Sequence, residues 1–375
     1  MLSGTQKYNR LYIHIPFCSS KCDYCAFYSE VQSDKRTIDR YLHRLTEEFQ
    51  ENAHLCSSLK SIYIGGGTPT YLSSEQLNRL FAEIKKNFQI DSDAEISIEA
   101  NPDTLSTDKI EIISTFCNRI SIGVQTLNKN LRSIIGRKSR EYNIAETIER
   151  IKKFHINNIS CDIIYAIPSQ TCQMLVKDLE TLLLSEVKHI SAYSLTYEEN
   201  SVLGKNQNYS EKVHSELDAE MWYILEKELK KHGIYRYEIS NYTSKKYECR
   251  HNLEIWLGDT YLGCGPAAAS FDGNVRKMNS ASLSKWLMKT SPEIDLISRK
   301  ERAKEILIMG LRTVKGWNEQ TFSERTGFNF ADLKSTIEKV EKAGLILHNS
   351  ESHNIKCTKS GLSCWNDTAL MILQN

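Results

Sequence analysis

The chain has 375 residues, enough for one large domain and a smaller one with ample core. Its 48 Lys and Arg balance 47 Asp and Glu, so net charge offers nothing to a nucleic acid or an acidic membrane surface. No run of about eighteen apolar residues occurs, the first ten residues are polar, and eight of the eleven cysteines follow no repeating spacing. A soluble cytoplasmic protein with free thiols is expected.

The first predicted strand, residues 11–15, runs directly into Cys18, Cys22 and Cys25, a C-x3-C-x2-C array. Soft thiolates hold iron–sulfur clusters, and a [4Fe–4S] cube normally takes four ligands. Three leave one iron open, which can chelate the amino and carboxylate groups of S-adenosylmethionine (SAM) and pass it an electron that breaks a carbon–sulfur bond. This is the array of radical SAM proteins. The competing reading is a structural zinc site, but zinc wants a fourth ligand, and the nearby His14 lies inside the strand before the array.

Further β-branched runs follow at 61–64, 95–98, 119–122, 159–164 and 189–195, alternating with helical spacing at 37–55, 74–88, 108–117, 142–154, 171–184 and 212–231. Six strand–helix units predict an α/β fold, a partial TIM-like barrel with all strand C-termini at one rim. The segments that follow the strands carry the polar and glycine signals. They are the cysteine array, Gly65-Gly66-Gly67-Thr68-Pro69, Glu99 to Pro102, Gly123 to Gln125, Asp162 with Pro168, and Tyr193-Ser194.

A lone glycine run is often only a tight turn, yet beside three thiolates it lets backbone groups approach a ligand. Ser97 and Glu99 share a face by the period-two rule and point inward if Ile96 and Ile98 face the helices. A carboxylate inside a barrel needs a partner, such as a ribose hydroxyl or an amine. Gln125 and Arg137 are weaker singly, since a turn glutamine and a solvated arginine are commonplace. Arg137 does follow the flexible Gly136, which suits delivery of a guanidinium to a carboxylate. Asp162, inside an apolar run, needs a buried partner, either Arg137 or a ribose.

From residue 234 the pattern changes. One more strand at 235–240 precedes Cys249-Arg250-His251-Asn252, Trp256 and a glycine-rich stretch at 263–270, with a connector at 274–295. A neutral imidazole can ligate haem iron and an indole offers it an apolar face, although on spacing alone His251 and Trp256 read as ordinary core and surface residues. Helices at 300–313, 319–326 and 331–343, a hairpin at 345–359 and a closing helix have a winged-helix-like order. The expected division is 1–285 for the barrel, including the segment 249–270, and 286–375 for a small winged-helix-like α+β domain. Residues 299–375 carry twelve Lys and Arg against nine Asp and Glu, too weak a bias for a phosphate-binding stripe, so no nucleic-acid partner is expected.

Taken together, residues 12–27, the Gly65–Pro69 turn, Glu99 to Pro102, Gly123 to Gln125, Gly136-Arg137, Asp162 with Pro168 and Gln170, and the segment 249–270 resemble the coproporphyrinogen III oxidase-like branch of radical SAM proteins. The similarity spans nearly the whole chain and is close to the HemW-type haem chaperones. It implies that Cys18, Cys22 and Cys25 hold a [4Fe–4S] cluster. It implies further that Tyr12, Tyr24, Gly67, Thr68, Glu99, Gln125, Arg137 and Asp162 line the SAM site, with Ser194 and Ala269 as later contacts. The chaperone branch carries an H-N-x-x-Y-W motif associated with haem, matched by His251, Asn252 and Trp256 but with Ile255 at the tyrosine position.

The same branch contains a coproporphyrinogen III dehydrogenase, whose array extends to a fourth cysteine and whose chain has a long N-terminal extension. Phe27 stands where that cysteine would fall, and eleven residues precede Tyr12. The resemblance therefore favours haem as cargo, respiratory haemoproteins as recipients, membrane-associated ones included, and an electron donor for the cluster. It leaves a homodimer open, and it keeps the dehydrogenase or another radical tetrapyrrole reaction as the alternative.

Overall fold

The computed structural model describes residues 8–31, 33–138, 142–205, 211–349 and 351–374. Six parallel strands form its centre, each paired with the next in chain order. They are β1 (Tyr8–Ile15), β2 (Cys56–Gly66), β3 (Ile90–Ala100), β4 (Arg119–Gln125), β5 (Asn158–Tyr165) and β6 (His189–Ser194). Crossover helices α1 (Lys35–Asn52), α2 (Ser74–Asn87), α3 (Thr107–Ser114), α4 (Lys129–Ile134), α5 (Ile144–Lys153), α6 (Cys172–Leu184) and α7 (Glu211–Lys231) connect or follow them. Side-chain caps from Asp34, Ser73, Ser106, Asn143 and Thr171 start five of these helices, satisfying amide groups that the first helical turn leaves unpaired.

The strands alternate in a way that decides what the barrel holds. Ile13, Ile62, Ile64, Ile96, Ile98, Ile120 and Ile122 join one hydrophobic cluster with the helices, and full burial of each such side chain contributes about 1.5–3 kcal/mol. The intervening positions, among them Arg10, Ser61, Ser97, Arg119, Ser121, Ser160, His189 and Ser191, are buried and polar. A strand period of two therefore puts the apolar core outside the barrel and a polar interior within it. Leu262–Cys264 extends the sheet in parallel beyond β1, and Asn241–Thr243 followed by Tyr235–Arg236 extends it antiparallel beyond β6. These outer strands do not pair with each other, so the barrel is open.

Three segments differ from the sequence reading. The strand expected at 235–240 is only Tyr235–Arg236, because the buried Glu238 carboxylate turns the chain by accepting from Ser240 N, Asn241 Nδ2 and Arg312. The connector at 274–295 is structured. Its strands Arg276–Met278 and Glu293–Asp295 form an antiparallel sheet with Ala269–Phe271, and helix Leu283–Leu287 packs Trp286 against Tyr41 of α1. The wing has a third strand, Trp317–Asn318, which pairs with Asn354–Cys357, itself paired with Ile346–Asn349.

The C-terminal helices Arg299–Leu311, Glu319–Thr326, Lys334–Lys342 and Trp365–Leu373 share a second hydrophobic cluster with this wing. Its centre is Trp317, whose indole N–H donates to the Ile306 and Leu307 carbonyls. Gly310 is required opposite, since a Cβ there would lie 2.1 Å from the indole nitrogen.

Candidate functional site

At the C-terminal ends of β1–β6 a cavity of about 430 Å3 opens, lined by residues from each of these strands or the loop that follows it. Of the residues singled out in the sequence, it gathers Cys18, Cys22, Tyr24, Cys25, Gly67, Thr68, Glu99, Gln125, Arg137, Asp162 and Ser194. Tyr12 and Ala269 are not among its lining residues. The Tyr12 hydroxyl meets His14 Nδ1 at 3.0 Å with its ring stacked on Tyr63, and Ala269 packs its carbonyl against Gly263.

The cysteine loop is held at several points. Asp23 N donates to the Ile135 carbonyl (3.1 Å), and Leu203 N donates to the Asp23 carbonyl (2.8 Å). Tyr24 packs on a small cluster of Leu131, Ile135, Ile164, Ile167, Leu195 and Leu203. The glycine turn lies against this loop: Gly67 N donates to Ile15 O and Thr68 N to Phe17 O, both at 2.8 Å. A Cβ on Gly67 would sit 2.9 Å from Phe17 O and 3.0 Å from Cys18 Sγ, which explains the glycine. Gly66 has φ +116 and donates its N–H to Glu99 Oε2 at 3.1 Å.

Glu99 also accepts from the Tyr63 hydroxyl (2.8 Å). Burial pushes its carboxyl up to about 7; the Tyr63 and Gly66 donors resist that rise, while the Asp162 charge adds to it. Burial raises Asp162 as well, and its carboxylate accepts from Ser121 Oγ at 3.1 and 3.2 Å and from Ser160 Oγ at 3.5 Å. The partner expected for Asp162 was Arg137 or a ribose; within the protein Arg137 points elsewhere, and the carboxylate is met by Ser121 of β4 and Ser160 of its own strand. Arg137 turns toward the cysteine loop, with Nη1 3.8 Å from Cys22 Sγ and Nη2 donating to Asn101 Oδ1 (3.2 Å) and to the Gly123 carbonyl. Gly136 permits this approach at φ +64, where a Cβ would overlap the Asp23 carboxylate. Gln125 has φ 65 at the irregularity between β4 and β5, a strained rim position of the kind that concentrates at functional sites.

These residues fit an iron–sulfur cluster with SAM. The three cysteines are free, partly buried thiols on one cavity wall. The two buried acids suit a cationic ligand, and Arg137 Nε is a buried donor with no acceptor among the described residues.

The Radical SAM superfamily profile matches residues 12–182, and the HemN C-terminal domain profile matches residues 297–363. The heme chaperone HemW of Lactococcus lactis is 35% identical over 335 residues, 88% of this chain and 88% of that protein. HemW of Bacillus subtilis is 35% identical over 355 residues, 91% of this chain and 93% of its own length. The chain belongs to the HemW family of radical SAM proteins. Its fold is that of coproporphyrinogen III oxidase (HemN) from Escherichia coli, with a TM-score of 0.84 at 21% identity over 99% of this chain and 91% of that one.

The residues matching the HemW haem motif lie elsewhere, at the N-terminal end of the barrel, on α8 (Arg250–Trp256). Glu95 of β3 caps this helix, accepting from Arg250 N (3.0 Å) and His251 N (2.9 Å). The His251 ring is 2% exposed, with Nδ1 2.8 Å from Ser61 Oγ and its face tilted on Tyr63. Burial, with the Arg10 and Arg119 charges, lowers its pKa to about 3, so the ring is neutral. Trp256 lies under the Arg312 guanidinium, and Asn252 is half-buried. His251 is thus an anchor of α8, its ring enclosed against Ser61 and Tyr63. His251→Ala should lower unfolding free energy by about 2–3 kcal/mol, measured by anaerobic denaturant titration.

His251 also joins the two ends of the barrel. Asp259 accepts from Arg10 Nε (3.0 Å), Arg10 Nη1 donates to Ser61 Oγ (3.0 Å), and Ser61 meets His251. From His251 the contact passes through Tyr63 to Glu99 and the Gly66 amide. Composition gave no hint of this column; the polar residues at alternate strand positions were its available signal.

Proposed function

We propose that the chain is a haem chaperone that binds haem and delivers it to respiratory haemoproteins, carrying a [4Fe–4S] cluster and SAM. The observation that carries this is the gathering of three thiols, a glycine turn and two buried acids at one rim, in a chain similar over most of its length to proteins named heme chaperones. Cys18, Cys22 and Cys25 would hold the cluster, which with SAM supplies one-electron reductive chemistry at a carbon–sulfur bond. Glu99 and Asp162 receive cationic or hydroxyl groups, the Gly66–Gly67 backbone admits the ligand closely, and Arg137 faces a carboxylate. Thr68, Gln125, Tyr24 and Ser194 complete the wall.

Phe27, 71% exposed beside Cys25, stands where the dehydrogenase pattern has a fourth cysteine, which weighs against coproporphyrinogen decarboxylation. We place the division of the chain near residue 285 and the protein in the cytoplasm; among the described residues no helix is long and apolar enough to cross a membrane. The test is anaerobic titration of the purified chain with haem, followed by transfer to an apo-haemoprotein. A shifted Soret band and haem transfer are expected. Formation of protoporphyrinogen from coproporphyrinogen III with SAM and reductant, without haem binding, would replace the chaperone by the enzyme.

A further inference from the structure

A second cavity, of about 1180 Å3, lies between α8 and the wing, beyond the N-terminal ends of the barrel strands. Leu253 and Leu257 of α8 form part of its wall, with Val314 and Leu347 on the C-terminal side and Lys315 and Lys356 beside them. Val314 and Leu347 are 41% and 53% exposed, so apolar side chains border an open gap that they do not fill. The Gly316 backbone (φ +65) presses on the wing, where a Cβ would come within 2.1 Å of Ile355 O and 2.7 Å of Lys356 Cα. That approach sets the backbone next to Lys315 against the strand that carries Lys356.

Among the described residues neither lysine has an ion-pair partner. Two cationic side chains in the wall of one groove offer charge to an anionic ligand. Of the two acids in the wall, Glu254 is engaged by Arg10 and Arg325, and Glu351 stands at the hairpin. An apolar groove with paired cations at its edge calls for a flat, amphipathic dianion.

We propose that this groove is the haem site, with the macrocycle against Leu253, Leu257, Val314 and Leu347 and the two propionates at Lys315 and Lys356. The assignment rests on the haem-chaperone reading and adds the place where cargo is held. It separates cargo from the cysteine cavity by the length of the barrel, and an open groove suits a ligand that must be handed on. Glu254 connects the groove wall through Arg10 to the column that ends at Glu99.

The test is anaerobic titration of the full chain with haem and with haem dimethyl ester, for wild type, the double variant Lys315→Glu/Lys356→Glu, and Leu347→Glu. Each variant should weaken haem binding by about tenfold or more, and the ester should be insensitive to the lysine reversal. Iron content and the change in cluster EPR on adding SAM should match wild type, which establishes that the variants fold. Wild-type haem binding that both variants retain overturns the groove and leaves the chaperone reading standing. A wild-type protein that gives no Soret shift overturns the chaperone reading, and the groove with it.

Discussion

Anaerobic reconstitution of Cys18→Ala, Cys22→Ala or Cys25→Ala is expected to give protein with less than about a tenth of the wild-type cluster. The reason lies in the ligand count. A cube that already leaves one iron to SAM has no spare protein ligand, and none of the other eight cysteines lines the cavity. Burial raises the Cys18 and Cys25 thiols above their ordinary value, so without metal these two are neutral thiols that become thiolates as the cluster forms. Cys364→Ala, at the exposed cysteine, serves as control and should retain full iron and sulfide. Iron and sulfide assays with EPR of the reduced protein read the result. A single variant that keeps a SAM-responsive cluster would remove its cysteine from the ligand set.

Much of this rim is legible in the chain because each signal sits directly after a strand. β1 ends three residues before Cys18, β2 ends inside the glycine run, and Glu99 follows directly on the run expected at 95–98 and stands one residue before the end of β3. A parallel sheet then places all of these at one end without further information. The partners were not legible. Ser121 reaches Asp162 from 41 residues away and Glu95 caps α8 across 155, distances over which no local pattern speaks.

The inward turn of His251 escaped the motif for the same reason. Spacing shows that His251, Asn252 and Trp256 are near one another, but not that the His251 ring enters the barrel between Ser61 and Tyr63. The segment 274–295 read as a connector because strands of three residues are too short for periodicity to register, and pairing across a sheet alone defines them.

SAM affinity should rise with pH and then level off near neutrality, because Glu99 must give up its proton to receive a cation. Without ligand the carboxyl titrates at about 7, raised chiefly by burial and further by Asp162, against the Tyr63 and Gly66 hydrogen bonds and the Arg119 charge. A sulfonium placed beside it favours the carboxylate, so binding below pH 7 releases a proton. The dissociation constant should then fall by up to about tenfold per pH unit below 7 and become flat above about 8.

Stability of the unliganded protein moves the other way. The folded pKa exceeds the ordinary 4.5, so the folded state binds more protons between 4.5 and about 7. The contribution of Glu99 is complete below that window and is lost as pH rises through it. SAM should therefore raise the melting temperature more at pH 8 than at pH 6. Because Asp162 is close enough to act on Glu99, the two acids titrate as a pair, and the midpoint observed belongs to both. Glu99→Gln keeps the shape and removes the titratable negative charge, so its SAM affinity should be lower by about tenfold or more and much less dependent on pH. Anaerobic equilibrium dialysis across this range reads both effects. A wild-type affinity that is flat from about pH 5.5 to 8 would mean that the cation does not lie at Glu99, and the two buried acids would then need another ligand to account for their place in the cavity.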